Sequence, residues 1–390
     1  MNNFNFYNPT QIVFGKGQVK QLDSLVPKNV KILITVGGGS VKKNGVLDAV
    51  QSELGKSPRE ILMFEGIEPN PKFETLMKAV EVCRSEKIDF LLAVGGGSVM
   101  DGTKFIAVAA NAEEYKGKEE EILYFGFKPS PIEDVIPLGT VVTLPATGSE
   151  MNMGGVVTRG EDKLPFFNIK AFPKFSILDP EYTYSLPATQ VANGVVDTFV
   201  HTVEQYVTFP AEGRFQDRTS EGILQTLIEI GRKTIDEPTN YDARANLVWN
   251  ATMALNGLIG AGVPQDWSVH MIGHEITALF GVDHGKTLAI VLPAMWKVMR
   301  DQKADKLVQY AERVWNITEG TKDEKIDAAI EKTEQFFNSL DIKTKLSDYG
   351  IDESGIDKII SNLEKHGLTK LSETGKITLE VSREILIKAL

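Results

Sequence analysis

The sequence predicts an α/β half over residues 1–186 and an all-helical half over residues 187–390. Three observations carry this division. Short β-branched runs alternate with amphipathic segments from residue 30 to about 180, helical patterns follow one another beyond Leu186 and Pro187, and 390 residues with 42% hydrophobic content suffice for two cores.

In the first half, VKILITV (30–36) is β-branched and closed by glycine, as a buried strand is. FETLMKAVEVCRSEK (73–87) then places Leu76, Ala79, Val80 and Cys83 at helical spacing, and FLLAV (90–94) is a second glycine-closed strand. Strand, helix and strand repeated in this way predict a parallel sheet wrapped by helices. After FSILDPEYTYSLP (175–187) the character changes. ATQVANGVVDTFVHTVEQYV, ARANLVWNATMALNGLIGAG, KADKLVQYAERVWN, DEKIDAAIEKTEQFFNSL, DESGIDKIISNLEKHG and VSREILIKAL all read as helices, with Asp and Ser starts and Gly stops. No convincing strand interrupts them.

The net charge of −11 argues against nucleic acid or an anionic membrane as the main partner, because both attract basic surfaces. A single cysteine, Cys83, excludes intramolecular disulfides and a cysteine-based zinc site, and fits a reducing, cytoplasmic setting. The N-terminus has no basic head followed by an apolar run, and no uninterrupted apolar stretch reaches ~18 residues. The expectation is a soluble, untargeted protein.

Two glycine turns follow strands and precede helices: Gly37, Gly38, Gly39 and Ser40 in ITVGGGSVKK, and Gly95, Gly96, Gly97, Ser98 and Asp101 in LAVGGGSVMD. Glycines there let a phosphate approach backbone N–H groups and the positive end of a helix, so a Rossmann-like dinucleotide-binding domain is expected. Neither stretch is G-x-G-x-x-G or a Walker loop. Ordinary dinucleotide folds set an acidic residue against the ribose 2′-hydroxyl; the first turn here offers Ser40, Lys42 and Lys43, which suit a 2′-phosphate and favour NADP over NAD. A third hydroxyl-rich strand end, TLPATGSE, holds Thr143 and Thr147, either an unremarkable turn or donors to a pyrophosphate or ribose.

Three of the five histidines, His270, His274 and His284, fall within DWSVHMIGHEITALFGVDHGK (266–286). One histidine on an apolar helix is commonly a packed core residue; three drawn from so small a pool point to a site. Asp197 and His201 stand four apart on one predicted helix, and His270 and His274 four apart on another, so each pair shares a face. Such pairs on neighbouring helices build a cation site in a bundle core, with His284 folding back after a helix stop at Gly281. Zinc-protease chemistry is excluded because Ala278 stands where H-E-x-x-H needs its second histidine, and no G-x-S-x-G nucleophile is present. His366, beside a helix-ending glycine, reads as a cap residue.

Asp197, His201, His270 and His284, with GGGSVMDGTK, ATGSE and FSILDP, resemble the iron-dependent (group III) alcohol dehydrogenases over essentially the whole chain. Within that family LITVGGGSVKKNGVLD, IEPNP and NGLIGAGVPQDW look like the butanol-dehydrogenase branch. The resemblance implies a dehydroquinate-synthase-like architecture and a homodimer, with the edge strand TQIVFG as a candidate interface. It implies one divalent metal, Fe(II) or Zn(II), on Asp197, His201, His270 and His284, with His274 near the nicotinamide as a proton relay. It also implies that Gly95 to Ser98 hold the pyrophosphate, that Thr143 and Lys163 contact the cofactor, and that Gly38 to Ser40 lie at the 2′-phosphate. Members that prefer NAD commonly carry an acidic residue where this chain has Gly39.

The expected activity is reversible hydride transfer between NADP(H) and a small aliphatic aldehyde such as butyraldehyde. Met151, Asn152 and Trp267 stand close to the motifs as candidates for the pocket or for core packing. A dehydroquinate-synthase-like lyase would call for a glutamate at position 197 and basic residues around the metal, which this chain lacks; a non-catalytic nucleotide-binding protein is the other alternative.

Overall fold

A computed structural model describes residues 1–125 and 128–390. The chain forms two compact units: Tyr7–Leu186 with Pro238–Val248, and Met1–Phe6 with Pro187–Glu237 and Trp249–Leu390. Two short segments therefore lie outside the simple division at residue 186. Asn2 donates its backbone N–H to Gly262 O, which ties the first residues into the helical unit. Arg244, buried, donates to Thr183 O, which ties residues 238–248 into the α/β unit.

The α/β unit contains β1 (Gln11–Phe14), α1 (Leu22–Leu25), β2 (Lys31–Val36), α2 (Ser40–Lys43), α3 (Val46–Leu54), β3 (Glu60–Phe64), α4 (Phe73–Glu86), β4 (Phe90–Gly95), α5 (Gly97–Ala110) and β5 (Leu138–Val142). A hairpin of β6 (Gly154–Arg159) and β7 (Asp162–Phe167) precedes the last strand, β8 (Phe175–Leu178). The sheet order is β1-β8-β5-β4-β2-β3, with every pair parallel. Parallel strands buried on both faces need apolar residues of both parities. Ile32, Ile34, Val36, Phe90, Leu92 and Val94 accordingly pack on the face covered by α1 and α3, and Leu33, Leu91 and Ala93 on the face covered by α4 and α5. From β2 the chain steps outward to β3, then returns to place β4 on the other side of β2. The carboxyl ends of β2 and β4 thus flank the point where strand order reverses, the usual ligand crevice of such sheets.

The helical unit contains α6 (Ala188–Tyr206), α7 (Arg214–Asp236), α9 (Ser268–Phe280), α10 (His284–Val298), α11 (Ala304–Val314), α12 (Lys322–Ser339), α13 (Glu353–Lys365) and α14 (Leu379–Lys388). Between α7 and α9, α8 (Tyr241–Ala254) is shared, its residues to Val248 grouping with the α/β unit. α6 is buried on nearly all sides, with Phe199 against Phe336 and Phe337 of α12. α10 packs on α6, α9, α12 and α14. The unit is not purely helical: β9 (Lys370–Leu371) and β10 (Ile377–Thr378) form a two-residue antiparallel ladder, too short to leave a periodic pattern. No helix among the described residues is long and apolar enough to cross a membrane.

Candidate functional site

Within the helical unit, α6 presents Asp197 and His201 one turn apart, α9 presents His270 and, one turn on, His274, and α10 begins at His284. α9 ends at Phe280 with Gly281 as its left-handed cap, so the chain reverses in time for His284 to open the next helix. The helices approach closely because Gly285 has no side chain: a Cβ there would meet Asn193 of α6 at 2.7 Å.

One ligand atom each of Asp197, His201 and His270 falls within 4.8 Å of the others, and all three residues are buried. His284 joins them from α10, its Nε2 at 3.6 Å from Asp197 Oδ1, matching the 3.6 Å from His270 Nε2 and the 3.5 Å from His201 Nδ1. Asp197 Oδ1 and His270 Nε2 are buried without a hydrogen bond. Burying such atoms costs free energy unless something compensates, and a cation in the midst of imidazole and carboxylate donors is the compensation this donor set suits. Burial opposes the charge of Asp197, but the neighbouring His201, His270 and His284 hold its carboxyl well below the usual carboxylate range. The residues fit a divalent metal. His274 stands beside this group, its ring 5.0 Å from that of His284 and 6.3 Å from that of His270, and is half-buried.

Glu204, three residues after His201 on α6, carries no sequence signal of its role. Its buried carboxylate accepts from the Nδ1 side of His270 and from the backbone N–H groups of Val269, at 2.7 Å, and His270, at 3.2 Å. With Nδ1 so engaged, Nε2 of His270 faces Asp197 and, once deprotonated, would offer its lone pair to a metal held there. Burial lowers the basicity of His270, and Asp197 and Glu204 more than offset this, raising it to about 9. Lys303 forms an outer clip. Its buried ammonium meets Val207 O at 3.1 Å just past α6, Asp266 Oδ2 at 2.6 Å just before α9, and Glu373 Oε1 at 2.9 Å. Lys303 stands at the N-cap of α11 in a charge-rich stretch, so nothing local marks it as buried. His366 caps α13 as expected and meets Glu275 of α9 at 2.7 Å.

In the α/β unit, Gly37–Ser40 follow β2 and Gly95–Ser98 follow β4, at the strand-order reversal. Gly39 has φ 101°, a conformation that favours glycine. Thr143 follows β5 and donates its N–H to Gly95 O at 3.0 Å. Thr147 Oγ1 accepts from Ser149 N–H at 3.2 Å. Lys163, on β7, donates to Asn70 Oδ1 at 2.9 Å, and Asn70 N–H donates to Ser98 Oγ at 3.2 Å, which links Lys163 to the second glycine turn. Asp101 accepts from Ser149 Oγ at 2.6 Å and Val156 N–H at 2.9 Å. Lys42 pairs at the surface with Glu65 at 2.6 Å. Lys104, unforeseen, is wholly buried; it donates to Asn152 Oδ1 and Gly154 O, both at 2.8 Å, and burial lowers it to about 8 despite Asp101 and Glu150. Met151 and Asn152 belong to this unit and Trp267 to the other.

A parallel sheet with glycine turns at its reversal point, and a helical unit with a buried Asp/His cluster, define a dinucleotide-linked, metal-site oxidoreductase. The model of the iron-containing alcohol dehydrogenases matches residues 9–180, and that of the C-terminal region of the Fe-containing alcohol dehydrogenase family matches residues 191–372. The chain is 59% identical to the NADPH-dependent aldehyde reductase YqhD of Escherichia coli over 99% of each chain. A crystal structure of that protein superposes with a TM-score of 0.97, 58% identity and coverage of 100% of this chain and 99% of that one. It is 40% identical to NADP-dependent alcohol dehydrogenase 3 of Entamoeba histolytica over 93% of this chain and 94% of that one. A Thermotoga maritima structure, NADH-dependent butanol dehydrogenase A, gives a TM-score of 0.93 at 34% identity, covering 100% of this chain and 99% of that one. The chain belongs to the iron-containing alcohol dehydrogenase family.

Proposed function

We propose that this chain reduces small aliphatic aldehydes such as butyraldehyde with NADPH, and in reverse oxidises the primary alcohols. The convergence of Asp197, His201, His270 and His284 carries this reading, and the full-length relatedness to an NADPH-dependent aldehyde reductase supports it. Residues 1–186 serve as the dinucleotide-binding domain and 187–390 as the metal-binding, catalytic one.

In the reaction a hydride leaves C4 of the dihydronicotinamide for the carbonyl carbon, the carbonyl oxygen takes a proton, and aldehyde and NADPH become alcohol and NADP⁺. Asp197, His201, His270 and His284 would hold Fe(II) or Zn(II), which would supply Lewis acidity for the carbonyl oxygen. Glu204 keeps the Nδ1 side of His270 engaged, which leaves Nε2 as the nitrogen that would ligate the metal beside Asp197. His274, one turn from His270 and next to His284, delivers the proton to the oxygen, directly or by way of a nicotinamide ribose hydroxyl that passes on its own proton. Gly95, Gly96, Gly97 and Ser98 offer backbone N–H groups to the pyrophosphate, Asp101 shapes that turn through Ser149, and Thr143, Thr147 and Lys163 contact the cofactor. Gly37, Gly38, Gly39 and Ser40 accept the 2′-phosphate, and the absence of a carboxylate at residue 39 favours NADPH over NADH. A cytosolic homodimer completes the reading: β1 is an end strand of the six-stranded sheet among the described residues, and the one cysteine, Cys83, is a free buried thiol.

The test is oxidation of NADPH or NADH by butyraldehyde, followed at the nicotinamide absorbance before chelation, after it, and after adding back Fe(II) or Zn(II). Turnover that prefers NADPH, stops on chelation and returns with metal is expected. No turnover with any metal overturns the reading.

A further inference from the structure

Trp267 stands where a glycine would be at ease. It precedes α9 with φ 65° and ψ 3°, in the left-handed region that bulky side chains enter only when their surroundings compensate. Among the described residues, the other non-glycine positions with positive φ carry Asn, Asp, Ser, Lys or Glu; Trp267 alone is aromatic. An indole is held here at a cost to the backbone, as strained residues at functional sites are.

Its surroundings show where it acts. The ring lies edge-on to two of the proposed metal ligands, 5.4 Å and 68° from His270, and 6.1 Å and 61° from His201. Those imidazoles stack on each other at 4.5 Å and are buried, whereas Trp267 is only half-buried. The indole is therefore the accessible apolar surface beside the ligand rings. Its polar tip is pinned: Nε1 donates to Gln265 Oε1 at 3.0 Å, and Gln265 in turn donates to Gly260 O at 3.1 Å. The amide ends of Gln265 and Gln205 lie close against Gly260, where a Cβ would meet them at 2.5 Å and 2.8 Å.

We infer that Trp267 is a specificity-determining residue, a fixed apolar wall beside the metal site against which the alkyl chain of the aldehyde packs. The inference rests on the reductase reading above. An apolar wall discriminates by methylene contacts, each change being worth on the order of tenfold, and it acts on substrate binding more than on the chemical step. Acetaldehyde, with least chain to pack, depends on it least.

The variants Trp267→Gly and Trp267→Phe, as full-length metal-loaded protein, test this. The readouts are metal content, melting temperature, equilibrium binding of butyramide (an unreactive amide the shape of butyraldehyde) to the NADPH complex, and kcat/KM for linear aldehydes from acetaldehyde to octanal. Trp267→Gly is expected to retain metal and to melt no lower than wild type, since the strained backbone is relieved. Its butyramide affinity should fall on the order of tenfold, and its preference for butyraldehyde over acetaldehyde should collapse by a similar factor through KM. Trp267→Phe should fall between the two. Loss of metal with an unchanged preference would make the indole a strut for His201 and His270 and overturn the inference, as would unchanged butyramide binding in both variants. Wild-type protein that turns over no aldehyde overturns the reductase reading and this inference together; wild-type turnover with unaltered specificity in the variants overturns this inference alone.

Discussion

Two histidines one turn apart on α9 have different expected roles, and single substitutions separate them. His270 contributes a buried donor atom that makes no hydrogen bond, so His270→Ala should lose bound metal and activity together. His274 is half-buried and stands beside the ligand rings, its ring 5.0 Å from that of His284, so as a proton relay His274→Ala should keep its metal while the rate falls roughly a hundredfold. Metal analysis beside steady-state rates checks both, and full metal content in His270→Ala would remove it from the ligand set. At the first glycine turn, Gly39→Asp should raise the KM for NADPH about tenfold or more by placing like charge at the 2′-phosphate. Because φ is 101° there, any side chain strains the turn. Gly39→Asn carries the same strain without the charge and is the control; equal KM values in the two variants would assign the effect to backbone strain alone.

At the scale of the elements, what ties α6 to α9 matters more than either helix by itself. Lys303 donates to Val207 O at the end of α6 and to the Glu373 carboxylate, and forms an ion pair with Asp266 before α9, so Lys303→Met leaves two buried carboxylates without their cation. Breaking a buried pair in this way costs about 3 kcal/mol or more, and chelator competition should also show weaker metal retention because the ligand helices lose their register. Unchanged melting temperature and metal affinity would reduce the clip to decoration. In α5, Lys104 gives a pH dependence. Its folded value of about 8 lies below its ordinary 10.5, so between these the unfolded chain binds the extra proton and stability rises with pH; the penalty is full below about 8 and gone above about 10.5. Relative to Lys104→Met, wild-type stability in urea should therefore improve by about 2 kcal/mol between about pH 7.5 and pH 9.5. A flat difference would place the residue nearer to solvent than its burial implies. Much at this scale was legible in sequence, because local rules govern it: the i, i+4 spacing of Asp197 and His201, the Gly281 stop before His284, and glycines closing β2 and β4. Glu204, Lys303 and Lys104 were not legible, since their partners come from remote segments. The left-handed backbone of Trp267 was hidden as well, because propensity alone assigns tryptophan no such conformation.

Across the whole molecule, the two ligand sets belong to different compact units: every proposed metal ligand lies in the helical unit and both glycine turns lie in the α/β unit. The sequence pointed to this segregation because strand-and-glycine patterns give way to helices near residue 187, although residues 1–6 and 238–248 cross that line through contacts no local pattern encodes. A ligand stabilises the part of the structure that must stay folded to bind it. Cation at about a hundred times its Kd stabilises its binding unit by about 2.7 kcal/mol, equivalent to roughly hundredfold slower exchange of amides that open only with that unit. Hydrogen exchange should therefore show Fe(II) or Zn(II) protecting α6, α9 and the start of α10, and NADPH protecting the turns after β2 and β4. In His270→Ala the cation effect should vanish and the NADPH effect persist, since the α/β unit retains its own binding groups. Protection of the glycine turns by cation alone would mean that the two units answer to metal as one, and that the segregation of ligand sets does not extend to their energetics.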